Sequence, residues 1–124
     1  MINFHNAAFL KLKPVSDLAF SELVAPMFVP SEQIIQTFKG VRDGVIFTTK
    51  RIIVINIQGL TGKKKEFTTL PYSKIQAMSV ETAGIFDLDS ELELWFSGLG
   101  KVKFEFVAEA NIFYICQIIS AYLL

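Results

Sequence analysis

Two runs of strict alternation on either side of a glycine turn constrain this chain more than any other feature. In Glu91–Ser97, Leu92, Leu94 and Phe96 point one way while Glu91, Glu93 and Trp95 point the other. After Gly98-Leu99-Gly100, Val102, Phe104 and Phe106 alternate with Lys101, Lys103 and Glu105. Successive side chains of a strand face opposite sides, so the pattern predicts an antiparallel pair with one dry and one wet face. A helix cannot satisfy this period.

The same punctuation recurs upstream. Gln33–Phe38 and Gly44–Thr49 flank the turn-like Lys39–Asp43, and Arg51–Gln58 places Ile53, Ile55 and Ile57 on one face. Gly59–Gly62 reads as a turn, Lys64–Leu70 and Lys74–Thr82 as strands, and Ala83–Asp89 as a loop opened by Gly84. Glu109–Leu124 closes the chain as a helix, with Ile112, Ile115, Ile119 and Leu123 at helical spacing. At the other end, Met1–Lys13 shows no clear period and stops at Pro14. Ser16 or Asp17 caps a short helix running to about Val24, and Pro26 and Pro30 bracket its end. The expected organisation is an N-terminal segment with a short helix over 1–30 and one domain over 31–124. The expected fold class is mostly β (α+β): seven short antiparallel strands in a bent sheet or partly open barrel, capped by the C-terminal helix.

Composition narrows the function. The chain has 124 residues, 52% of them apolar and only 19% charged, against about 25% charged in an ordinary domain. Disorder is excluded by the apolar content, and a disulfide scaffold by the single cysteine, Cys116. Twelve Lys and Arg balance twelve Asp and Glu, so no overall field draws nucleic acid. No leader is evident. The uncharged C-terminal run Ala110–Leu124 falls short of the ~20 apolar residues of a membrane span. A cytoplasmic location is the default expectation, with membrane association if the basic turns hold lipid.

Enzymatic readings fail for want of parts. The one histidine, His5, has no cysteine beside it, and Cys116 falls in an apolar helix. Asp87, Asp89 and Glu91 mimic the start of a calcium loop, but Leu92 stands where that loop needs glycine and Gly98 where it needs glutamate. Gly59-Leu60-Thr61-Gly62-Lys63-Lys64 approaches a phosphate-binding loop, but Ile57 replaces its first glycine and Lys64 its Ser or Thr. No catalytic residue, metal site or cofactor is expected.

Several stretches, taken in order, carry a family resemblance. Arg42–Ile53, which contains Phe47-Thr48-Thr49-Lys50-Arg51-Ile52-Ile53, resembles the FTNKRLI region of bacterial pleckstrin-homology-like domains. Gln58–Lys64 is similar to their third turn. Leu70–Ile75, Ser79–Gly84 and Phe86–Leu92 are similar to the strand and loop that follow. The resemblance implies a pleckstrin-homology-like fold, no established activity, and homo-oligomers of ring-like form.

Two candidate surfaces remain. In such a fold the first and third turns share a rim, where Lys39, Arg42, Lys63, Lys64 and Lys65 are expected to converge on an anionic lipid or phosphate group. The second is a surface for another copy of the chain or another protein. The C-terminal helix is apolar nearly all round: Phe113, Tyr114, Ile118 and Tyr122 lie off its main stripe. With Trp95 on the charged strand face and Ile85 and Phe86 in a loop, they are expected at an oligomer interface.

Overall fold

The computed structural model describes residues 9–124. Eight strands and a C-terminal helix dominate: β1 (Phe9–Val15), β2 (Ile34–Lys39), β3 (Gly44–Thr48), β4 (Arg51–Gln58), β5 (Lys64–Pro71), β6 (Ile75–Glu81), β7 (Ser90–Phe96), β8 (Gly100–Phe106) and α2 (Ile112–Leu123). A short helix, α1 (Ser21–Val24), lies between β1 and β2, with 3-10 turns at Asp17–Ala19 and Ala25–Met27 on its two sides. Ser16 caps the first of these turns by accepting a hydrogen bond from the Leu18 amide. The strands run in the order β5-β4-β3-β2-β1-β8-β7-β6, antiparallel throughout except for β1 with β8. The sheet does not close.

The pattern over Glu91–Phe106 holds as expected. Leu92, Leu94, Phe96, Val102, Phe104 and Phe106 are buried, and Leu94 sits opposite Val102. On the other face Lys103 pairs with Glu91 at 3.2 Å and Lys101 with Glu93 at 3.5 Å.

Among the described residues the strand count is eight, not seven, and the additional one is β1. Its period is hidden by a bulge. Phe9 and Leu12 are both buried although they are three residues apart, because Lys11 adopts φ 56° and the register with β8 shifts between them. Pro14 lies inside this strand rather than ending the segment. Its ring is tolerated because β1 pairs with β8 only up to Leu12 and with β2 only from Lys13, leaving one side without a ladder there. The N-terminal segment thus adds a strand to the same sheet that 31–124 builds.

The sheet buries apolar side chains on both faces. Phe38, Val45, Phe47, Ile52 and Val54 join the large inner cluster with β7, β8 and α2. Ile46, Ile53 and Ile55 point outward and are covered by Phe20 and Val24 of the N-terminal segment. Gly44 permits that cover: a Cβ there would lie 2.6 Å from the Phe20 ring. The helix α2 begins where the Asn111 side chain accepts from the Tyr114 amide, and it buries Ile112, Ile115, Ile118 and Ile119. No helix among the described residues is long and apolar enough to cross a membrane.

Candidate functional site

Seven cations, Lys39, Arg42, Lys50, Arg51 and Lys63 to Lys65, fall in one basic window over residues 39–65, and they do not gather at one place. At one end of the sheet, the β2–β3 turn meets the β4–β5 turn. Arg42 donates to the Gly59 carbonyl oxygen at 2.7 Å, and the Asp43 carboxylate accepts from the Ile57 amide at 3.0 Å. These two bonds clamp the turns together. Gly59, at φ 78°, is the residue type that a left-handed turn position favours. Between the turns lies a shallow cleft of about 340 Å³, lined by Lys39, Arg42, Val41, Ile57 and Leu60 among others. Lys13 stands directly opposite Lys39 on β1, adding a like charge.

The structure therefore joins Lys39 and Arg42 at one cleft, but not the three lysines. Lys63, Lys64 and Lys65 stand outside its lining. Lys64 and Lys65 are successive residues of β5 and so point to opposite faces.

Elsewhere in the window, Arg51 is consumed internally. Its Nε and one Nη each donate to Glu32 at 3.0 Å, its Nη2 also reaches the Met27 carbonyl at 2.6 Å, and Nη1 donates to Thr69 at 3.1 Å. The Thr48 hydroxyl donates to Glu32 at 2.7 Å, and the Tyr72 hydroxyl to the Thr48 carbonyl at 2.8 Å. Burial alone would raise the Glu32 carboxyl, but the Arg51 guanidinium and the Thr48 hydroxyl hold it below the usual carboxylate range. Burial pushes the Tyr72 phenol up.

The aromatic candidates also separate. Ile85, Phe86, Phe113, Tyr114 and Tyr122 are exposed, and Trp95 is half-buried opposite Lys101 and Ala77. Ile118 differs from the others: it is buried, in the inner cluster that also holds Tyr72. Tyr122, one turn on, stacks against Tyr72 with ring centroids 5.3 Å apart. Sequence reading missed two exposed side chains, Val41 and Leu60, at the tips of the clamped turns. The available signal was a large aliphatic residue beside glycine in each turn, where a polar residue is usual.

Among the described residues no group of three His, Cys, Asp or Glu could hold a metal ion. Burial raises the Cys116 thiol, the reverse of what a nucleophile needs. His5 lies outside the described residues.

Known proteins agree with this architecture. A family model described as Bacterial PH domain matches residues 3–123. The uncharacterized protein YjqA of Bacillus subtilis (strain 168) is 44% identical over 109 residues, covering 86% of this chain and 87% of YjqA. A pleckstrin-homology protein of the DUF1696 family from Shewanella loihica PV-4 has a crystal structure similar to this one. Its TM-score is 0.82 at 34% identity, over 93% of this chain and 99% of that one. A pleckstrin homology domain from Shewanella amazonensis SB2B gives 0.68 at 36% identity, over 96% and 93%. The eight-stranded open sheet, the helix that caps it and a family match along nearly the whole chain agree: this protein belongs to the bacterial PH domain family.

Proposed function

We propose that this bacterial PH domain is a non-enzymatic binding or scaffolding module that associates with itself into a homo-oligomer. The observation that carries the reading is the apolar surface left outside the core. Ile85 and Phe86 in one loop, and Phe113, Tyr114 and Tyr122 on α2, are all exposed on the single chain. Large aromatic side chains are enriched at the centres of protein interfaces. A repeated contact between unlike surfaces closes into a ring when its rotation permits. Light scattering on a sizing column tests the reading. A mass of several times 13.9 kDa at micromolar concentration is expected, and 13.9 kDa itself would reject self-association.

A second reading is a peripheral membrane module that binds anionic lipid or phosphate groups. It is favoured by the meeting of Lys39 and Arg42 at one cleft. A cation close to an anionic bilayer contributes about 1 kcal/mol. Pelleting with anionic vesicles alone, lost as salt rises, supports it; no pelleting at low salt rejects it.

A further inference from the structure

The loop between β6 and β7 is built as a prong. The Gly84 amide donates to the Asp87 carbonyl at 2.7 Å, which closes the loop with Ile85 and Phe86 at its tip. The Asp87 carboxylate accepts from the Asp89 amide at 3.0 Å, and Asp89 is ion-paired with Lys11 of β1. The base is thus pinned while the tip stands in water: Ile85 is 88% exposed and Phe86 100%. Lys11 answers Asp89, and Asp87 beside the tip stays exposed, so the flank of the prong keeps an acidic side chain toward water. A surface that accepts it must be apolar at its centre and cationic around it.

The cleft between the clamped turns has that character. Val41 and Leu60 offer aliphatic side chains 92% and 106% exposed, Ile57 lies between the turns, and Lys39 and Arg42 supply the charge. The Arg42 guanidinium is fixed by its bond to Gly59, and a fixed planar cation is a good partner for an aromatic ring. Apolar tip meets apolar centre; acidic flank meets basic edge. Among the described residues, Ile85 and Phe86 at the tip and Val41 and Leu60 at the cleft are all exposed on the single chain.

We infer that the Ile85-Phe86 prong of one copy docks in the Val41–Leu60 cleft of a second copy. The inference rests on the self-association proposed above and names the two surfaces that carry it. The contact joins unlike surfaces, so every subunit brings one prong and one cleft.

Complementation between two broken subunits tests it. Phe86→Asp spoils the prong and leaves the cleft; Val41→Asp with Leu60→Asp spoils the cleft and leaves the prong. Each variant alone is expected at 13.9 kDa, and an equimolar mixture at twice that mass, because one intact junction survives per pair. Far-UV circular dichroism checks the folds, with serine in place of aspartate should either variant not fold. Variants that keep the wild-type mass, or a mixture that stays monomeric, would overturn the docking while leaving self-association in place. A monomeric wild type would remove both.

Discussion

Two arginines nine residues apart have opposite fates, and the contrast explains much of this molecule. Arg51 sits in a closed corner. It holds a carboxylate whose side chain has no solvent exposure, and it fastens Met27 and Glu32, on the way from α1 to β2, to β4 and β5. Arg42 sits at the open rim, exposed, with one bond to the Gly59 carbonyl. The corner spends four of the five Arg51 donors inside the fold. The rim is clamped from behind and keeps charge and apolar tips outward. Cations adjacent in sequence therefore do not make one patch; what each meets in three dimensions decides whether it stabilises the fold or recognises a partner.

The largest expected effect comes from breaking the closed corner. Glu32→Gln removes the charge that compensates Arg51 and should destabilise the fold by about 3–5 kcal/mol, as does removal of one partner from other buried pairs. Replacing both Glu32 and Arg51 by methionine should cost less than Glu32→Met and Arg51→Met added together, because no unpaired charge remains. Urea denaturation of the four proteins measures this. Additive losses would mean that the two groups do not depend on each other.

The same corner sets an acid limb. The Glu32 carboxyl lies lower in the folded state than in the unfolded chain. Its contribution is therefore complete above the unfolded value of about 4.3 and disappears as pH falls through the folded one. The stability gap between wild type and Glu32→Gln should be full at neutral pH and shrink below about pH 4. A gap unchanged at pH 3 would assign the loss to packing rather than charge.

An intermediate effect is expected at the rim. Arg42→Ala removes one side-chain hydrogen bond at an exposed position and should cost about 1 kcal/mol. Thermal melts at matched pH would show it. A loss equal to that of Glu32→Gln would erase the distinction between rim and corner.

How legible these regions were follows from physics. The hairpin β7–β8 was plain because its inward set keeps period two without interruption. The strand β1 was not, since the bulge at Lys11 places Phe9 and Leu12 on one side at an odd spacing. Ile53 and Ile55 could be put on one face, but nothing in their pattern says that Phe20 covers them. The corner is illegible for a similar reason: Glu32, Thr48, Arg51 and Tyr72 are ordinary residues until the segments that carry them meet. Val41 and Leu60 read as turn residues in the sequence, and their exposure is a tertiary property.

The smallest effect sharpens the comparison from the opposite side. Lys63, Lys64 and Lys65 lie next to the rim in sequence but outside its cleft, and Lys63 and Lys64 are exposed. Lys65 is half-buried beside Ile57, where its aliphatic stem covers part of the outer cluster. Exposed charges contribute little to stability, so changing Lys63 and Lys64 to serine should move the unfolding free energy by less than about 0.5 kcal/mol. Adding Lys65→Ser should bring a small further loss, from lost packing rather than lost charge, and it should persist in high salt where an electrostatic loss would fade. If the triple variant instead unfolds cooperatively at room temperature, the run takes part in the fold as Arg51 does, and the division of the window into corner and rim is wrong.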